Sequence, residues 1–195
     1  MFHRRSIRLK GYVYSQDGAY FITICTLNRQ SYFLTYPELE EIVWKQWEKL
    51  PERFADLFLD EFTIMPNHIH GIIIVGADLA PALSGLAPAL AVGATLAVAQ
   101  NAGAGARPSP TVGEIVGTFK SLCIHDWLAY IKEKKIDPIG KFWQRNYYDH
   151  IIRNEDEMNK IREYIKNNPL KWSLDRENPE KVGTDVLEDE IFRHI

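Results

Sequence analysis

Two histidines stand one residue apart in the stretch Glu61–Val75, as His68-Ile69-His70. The run that follows, Gly71–Val75, is apolar, rich in β-branched residues and of a length that suits a buried strand. Side chains on a strand alternate faces, so the two imidazoles share a side, roughly 7 Å apart along the chain. Such a pair is ready to hold a metal ion. Two surface histidines at a strand end would look the same, and the spacing alone leaves both readings open. A second pair, Tyr164 and Asn168, lies four residues apart on a helical stretch and therefore on one helix face. Asn168 offers a carbonyl oxygen suited to a hard divalent cation, or an ordinary helix C-cap. Tyr164 offers a phenol, or a ring packed beside Ile161 and Ile165. A phenol with a pKa near 10 is protonated at neutral pH, so a nucleophilic tyrosine needs help.

The elements that must position these groups follow from periodicity. Alternation predicts strands over Ala19–Leu27, Leu57–Met65 and His68–Val75, and a fourth, irregular at its start, over Phe142–Ile152. Helical spacing predicts Pro37 to about Leu50, stopped by Pro51, and Thr111 to about Lys134, opened by a Thr111/Glu114 capping box. A last helix is capped by Asn154 and ends near Asn168, because Pro169 disfavours helix in the residue before it. The order β-α-β-β-α-β-α is the split βαβ pattern. It predicts an α+β, ferredoxin-like fold: a four-stranded antiparallel sheet, two helices on one face, and a C-terminal helix against the sheet or across its edge. The Pro66-Asn67 turn makes a hairpin that would set His68 near the sheet's edge, open to solvent.

With 195 residues, 46% hydrophobic and 25% charged, the chain reads as a single soluble domain over 1–174. Cys25 and Cys123 make no disulfide framework, and the basic start has no apolar run behind it, so a reducing cytoplasm is expected. Residues 76–110 are rich in Ala, Gly, Leu and Pro, with Asp78 and Arg107 as their charges. Prolines and glycines interrupt any membrane span there, and an expanded loop is the preferred reading. Residues 175–195 carry seven acids against three bases and read as a solvated acidic tail. The net charge of −3 argues against a generic nucleic-acid binder, yet the first ten residues hold Arg4, Arg5, Arg8 and Lys10 with no acid.

Five blocks then occur in one order between about residues 3 and 172: Arg5–Tyr12 with Tyr20–Thr26, Met65–His70, Gly113–Ser121, Trp143–His150 and Tyr164–Pro169. In these the chain resembles the REP-associated tyrosine transposases, within the HUH single-tyrosine (IS200-like) superfamily. The resemblance implies that Tyr164 is the catalytic nucleophile and that His68, His70 and Asn168 hold Mg²⁺ or Mn²⁺. Insertion-sequence relatives tend to have Gln at the Asn168 position. It implies DNA transposition by cutting single-stranded DNA beside a folded hairpin through a 5′-phosphotyrosine, and joining to a new 3′-hydroxyl without ATP. Candidates to hold the DNA are Arg4, Arg5, Arg8 and Lys10 at the hairpin foot, with Lys120, Arg145 and Arg153 near the site; solvated surface charge is the competing role of each. REP-associated relatives favour a monomer, insertion-sequence relatives a dimer, and no membrane partner is implied. The 76–110 insertion and the negative charge depart from the family pattern. Two other readings compete. A His-triad nucleotide hydrolase would need a histidine where Ile72 stands, and a DNA-hairpin-binding relative would keep the fold without the chemistry.

Overall fold

The computed structural model describes residues 17–76, 110–136 and 139–192. Its sheet is built from β1 (Gly18–Cys25), β2 (Leu57–Met65), β3 (His68–Val75) and β4 (Tyr148–Ile152). The spatial order is β2-β3-β1-β4 and every neighbouring pair is antiparallel. This is the ferredoxin-like arrangement expected from the element order. β3 lies inside the sheet, so its eight residues are buried on both faces.

Alternation divides the chain between two cores. Tyr20, Ile22 and Ile24 of β1, with Ile69, Ile73 and Val75 of β3, pack on one face beneath two helices. These are α1 (Pro37–Glu48) and α2 (Val112–Lys134), which contribute Leu39, Val43 and Trp47, and Ile115, Phe119, Cys123 and Trp127. Pro37 sits in the first turn of α1, where its missing N–H costs nothing. The reciprocal Thr111/Glu114 capping box closes the start of α2. On the opposite face, Phe21, Ile72 and Ile74 meet Met158, Ile161, Tyr164 and Ile165 of α3 (Glu155–Asn167). Asn154 caps α3 by accepting from the Glu157 N–H at 2.9 Å. The third helix therefore covers the sheet face that α1 and α2 leave free.

Several sequence-based expectations change. Pro51 does not end the chain's helical run but opens a short helix, Leu50–Arg53, after α1 stops at Glu48. β4 begins only at Tyr148; before it, Trp143 makes an isolated bridge to Thr26. β2 carries a bulge, because Leu59 pairs with Ile73 while Phe62 pairs with Gly71. The described part of the expected acidic tail, residues 175–192, is not simply solvated. A 3₁₀ stretch (Asn168–Leu174) and a short helix α4 (Val186–Phe192) fold back on the α3 side, and Asp175, Asp185 and Glu188 are buried. The basic arm and nearly all of the 76–110 insertion lie outside the described residues.

Gly71, between the two cores, shows how tightly β3 is held. A Cβ there would meet the Trp47 ring at 2.5 Å and Phe62 at 3.1 Å. Gly71→Ala is expected to cost about 1–3 kcal/mol by overpacking. Denaturant unfolding monitored by tryptophan fluorescence checks this, and an unchanged midpoint would contradict the packing described.

Candidate functional site

The site starts at the amide of Asn67. Its Nδ2 donates to the carbonyl oxygens of Arg29 (3.2 Å) and Glu177 (2.8 Å), so its Oδ1 is left to accept. That oxygen lies 2.8 Å from His68 Nδ1, which must then carry the proton. The lone pair of His68 is thereby placed on Nε2. His70 is oriented by Thr23 of β1, its cross-strand partner, whose hydroxyl is 2.9 Å from Nδ1. The two Nε2 atoms approach to 2.9 Å. This is the outer-shell pattern of ligating histidines, with each remaining ring nitrogen held by a polar partner.

Asp175 completes a triangle. Its Oδ2 is 3.6 Å from His68 Nε2 and 3.8 Å from His70 Nε2, and makes no hydrogen bond. A point equidistant from the three atoms lies about 2.0 Å from each, the usual length of a bond from Zn²⁺ or Mg²⁺ to nitrogen or oxygen. Asn168 Oδ1 is a further buried oxygen without a hydrogen-bond partner. Unsatisfied acceptors in a dry site cost free energy unless a donor or cation meets them. The residues therefore fit a divalent ion, and two imidazoles with a carboxylate suit Mn²⁺ better than Mg²⁺ on ligand softness. Burial and the neighbouring His70 push the His68 pKa down, which keeps its imidazole neutral and available. Burial opposes ionisation of Asp175, but His70, His68 and the Glu177 N–H hold its carboxyl below the usual range.

Tyr164 enters from α3. Its hydroxyl lies 3.4 Å from His70 Nε2 and donates to Glu188 Oε1 of α4 at 3.4 Å. Burial, then the charges of Asp175 and Glu188, raise the phenol's pKa; Arg176 and a hydrogen bond from Asn168 act the other way. Glu188 itself is pushed up to about 7, chiefly by burial, although Arg176 Nε stands 3.3 Å away. The expectation of an accessible site at the sheet's edge is overturned. His68, His70 and Tyr164 are each no more than 2% exposed, under the segment that carries Asp175 and Glu188.

The four central residues of the sequence-based set behave unequally. His68, His70 and Tyr164 are brought together. Asn168 is buried one helical turn beyond Tyr164, at the end of α3. Lys120 does not point freely at a ligand: its Nζ donates to the carbonyls of Gln144 (2.5 Å) and Arg145 (3.1 Å), and burial lowers its pKa to about 8. Arg145 is exposed on that loop. The loop joins the sheet end that holds the histidines, since Gln144 N–H donates to the Cys25 carbonyl and Cys25 pairs with His68. Arg153 is not near the site. It follows Ile152, which pairs with Ala19 at the other end of β1, about 20 Å away along the strand. Arg4, Arg5, Arg8 and Lys10 lie outside the described residues. Asp175, Arg176 and Glu188 were missed, because an acidic stretch after Pro169 carries no periodicity to mark it as structured.

A protein of Haemophilus influenzae, named only as uncharacterized, is 39% identical over 181 residues, which cover 89% of this chain and 92% of that one. The two belong to one family. No family model matches the chain. Among solved structures, a REP-associated tyrosine transposase bound to a REP hairpin is similar over 88% of this chain and 74% of its own, at 16% identity and a TM-score of 0.52. This chain thus has a transposase-like fold. No helix among the described residues is long and apolar enough to cross a membrane.

Two outcomes follow from the site. Thr23→Val, which removes the partner of His70 Nδ1, should weaken Mn²⁺ binding by roughly 10–100-fold, and His68→Ala should abolish it; electron paramagnetic resonance titration of free Mn²⁺ measures both. The Glu188 carboxyl titrates near 7 when folded and near 4.5 when unfolded. Between those values the folded chain binds more protons, so this group's contribution to stability falls as pH rises. Thermal melts from pH 5 to 8 should therefore show wild type losing stability relative to Glu188→Gln; a constant difference would contradict the raised pKa.

Proposed function

We propose that the chain is a metal-dependent tyrosine transposase that nicks and rejoins single-stranded DNA at hairpin-forming repeats. The observation that carries this reading is the meeting of the Tyr164 hydroxyl with the histidine pair, 3.4 Å from His70 Nε2. The likeness to a fold that binds a REP hairpin supports the substrate class, and the five sequence blocks support membership of the HUH superfamily.

In this reading His68, His70 and Asp175 hold the ion, with Asn168 Oδ1 as a further donor. The bound ion, Mg²⁺ or Mn²⁺, supplies Lewis-acid polarisation of a phosphate oxygen and offsets the charge of Asp175. The chain's own residues do the rest. Tyr164 attacks phosphorus in line with the scissile bond, and the proton it gives up is balanced by the one the departing 3′-oxygen takes up. The P–O3′ bond breaks, a 3′-hydroxyl leaves, and the 5′-phosphate stays on the tyrosine. A second 3′-hydroxyl attacks the phosphotyrosine and restores a DNA phosphodiester, so the bond energy is retained and no ATP is needed. The resting arrangement holds the phenol protonated, because burial and two carboxylates oppose its ionisation. DNA reaches it once the helix that carries Glu188, Val186–Phe192, makes way, with Asp175 staying on the ion.

Phosphates along the strand are held by basic side chains. Lys120 serves this indirectly, by fixing the loop that presents Arg145 beside the histidine end of the sheet. Arg4, Arg5, Arg8 and Lys10 are assigned to the hairpin foot, and Arg153, at the far end, is left outside the site. The protein acts as a monomer with Tyr164 in cis.

The test is a denaturing gel of protein incubated with a labelled single-stranded hairpin and Mn²⁺. Wild type should give a covalent adduct, and Tyr164→Phe should give none while still retaining the hairpin in a binding assay. An undiminished adduct in the variant would remove Tyr164 as nucleophile. Binding without any adduct from wild type would make the chain a hairpin-binding module.

A further inference from the structure

Polar contacts tie the tyrosine helix to the sheet: near its start Glu157 meets His150 of β4 at 2.8 Å, and further along it is held to β2 by charge. Arg162 makes a fork to Asp60 of β2, with Nε to Oδ1 at 2.8 Å and Nη2 to Oδ2 at 2.5 Å. Lys166, one turn further on, pairs with Glu61 at 2.8 Å. Adjacent residues of a regular strand face opposite ways, so Asp60 and Glu61 could not both reach one helix. The bulge removes that obstacle. Leu59 and Phe62, three residues apart, both pack toward the α1/α2 core, and the extra residue between them turns Asp60 and Glu61 together toward α3. The Asp60 carboxylate is itself held by the Glu61 N–H at 2.8 Å.

On α3 the two cations are four residues apart, and so are Tyr164 and Asn168. At 3.6 residues per turn, Tyr164 lies about 200° around the helix from Arg162. The helix thus presents a cationic stripe to the bulge and the phenol–amide stripe to the histidines. Apolar packing against Phe21, Ile72 and Ile74 lets a helix slide or roll at small cost, whereas a two-point fork fixes both its axial position and its rotation. The two pairs differ in strength. Asp60 and Arg162 are largely buried and bidentate, while the Lys166 side chain is 60% exposed and screened by water.

We infer that the β2 bulge is a docking clamp for the tyrosine helix, with Asp60 and Arg162 as the positioning residues that set the Tyr164 hydroxyl against the histidine pair. The inference rests on Tyr164 being the nucleophile, but its structural half stands without that reading. Neither Asp60 nor Arg162 touches the histidines, Asp175 or the phenol in any contact seen here, so the clamp acts only through the helix it holds.

The test uses the full chain with Asp60→Asn, Arg162→Lys and the double variant. Three readouts are taken: Mn²⁺ affinity, the rate and hairpin KM of covalent adduct formation, and the cross-ring nuclear Overhauser effect between His70 and Tyr164, whose ring centroids are 5.3 Å apart. Each single variant should leave Mn²⁺ affinity and KM within about twofold, lower the adduct rate by roughly 10–100-fold as a misplaced reacting group does, and weaken the cross-ring effect. Arg162→Lys keeps the charge and loses the fork, so it should fall with Asp60→Asn rather than with wild type. The double variant should be no worse than the poorer single, because both remove one device. An unchanged cross-ring effect in Asp60→Asn would overturn the clamp, as would a parallel loss of Mn²⁺ affinity, which would mark general unfolding. If wild type forms no adduct, the proposed activity fails, and the cross-ring effect alone decides whether the clamp exists.

Discussion

β3 has no solvent face, and the organisation of the site depends on that constraint. Its odd-numbered residues, Ile69, Gly71, Ile73 and Val75, lie toward α1 and α2, and its even-numbered ones, His68, His70, Ile72 and Ile74, toward α3. A strand between two cores can carry polar groups only where each is satisfied. The histidines meet that demand on one side, through Asn67 and Thr23. On the other side they leave two ring nitrogens and a carboxylate oxygen facing one another. Packing thus dictates where the imidazoles are and which ring nitrogens face Asp175, and for His68 it also leaves the lone pair there. The same burial holds the phenol protonated and keeps His68 neutral.

The fold was legible because two periodicities and three capping signals agree. Alternation marked four strands, helical spacing marked α1 to α3, and Thr111, Glu114 and Asn154 marked helix starts that the structure reproduces. The site was half legible. His68 and His70 share a face by strand geometry, and Tyr164 precedes Asn168 by one turn, both readable from spacing. Asp175 was not readable, because it follows a proline and a 3₁₀ stretch in which side-chain direction has no simple period. The bulge at Asp60 and Glu61 was equally hidden: a single inserted residue leaves β2 looking like an ordinary strand until its partner's register is known. Burial of the site depended on the same acidic segment and could not precede it.

Net charge says little about the surface of this chain, for a physical reason. Several of the acids that make the chain negative, Asp175, Asp185 and Glu188, lie in its interior rather than on a surface that a polyanion would meet. Asp185 caps α4 by accepting from the Leu187 N–H and pairs with Lys171, so that acid serves local structure. Asp175 and Glu188 instead face the histidines and the phenol. Where charge sits therefore says more about partners than its sum.

The place where β3 hands on the chain has a consequence of its own. His68 opens the strand at the end that holds the candidate site and Val75 closes it opposite Gly18, so the chain leaves toward residues 77–109 from the far end of the sheet. Seven residue steps separate that exit from His68, about 23 Å of extended strand. Length can vary at such a junction without moving the histidines, which makes it a natural seam for grafting. A fluorescent reporter or an affinity handle joined at Gly76 would be attached that far from the histidines, on the strand that bears them.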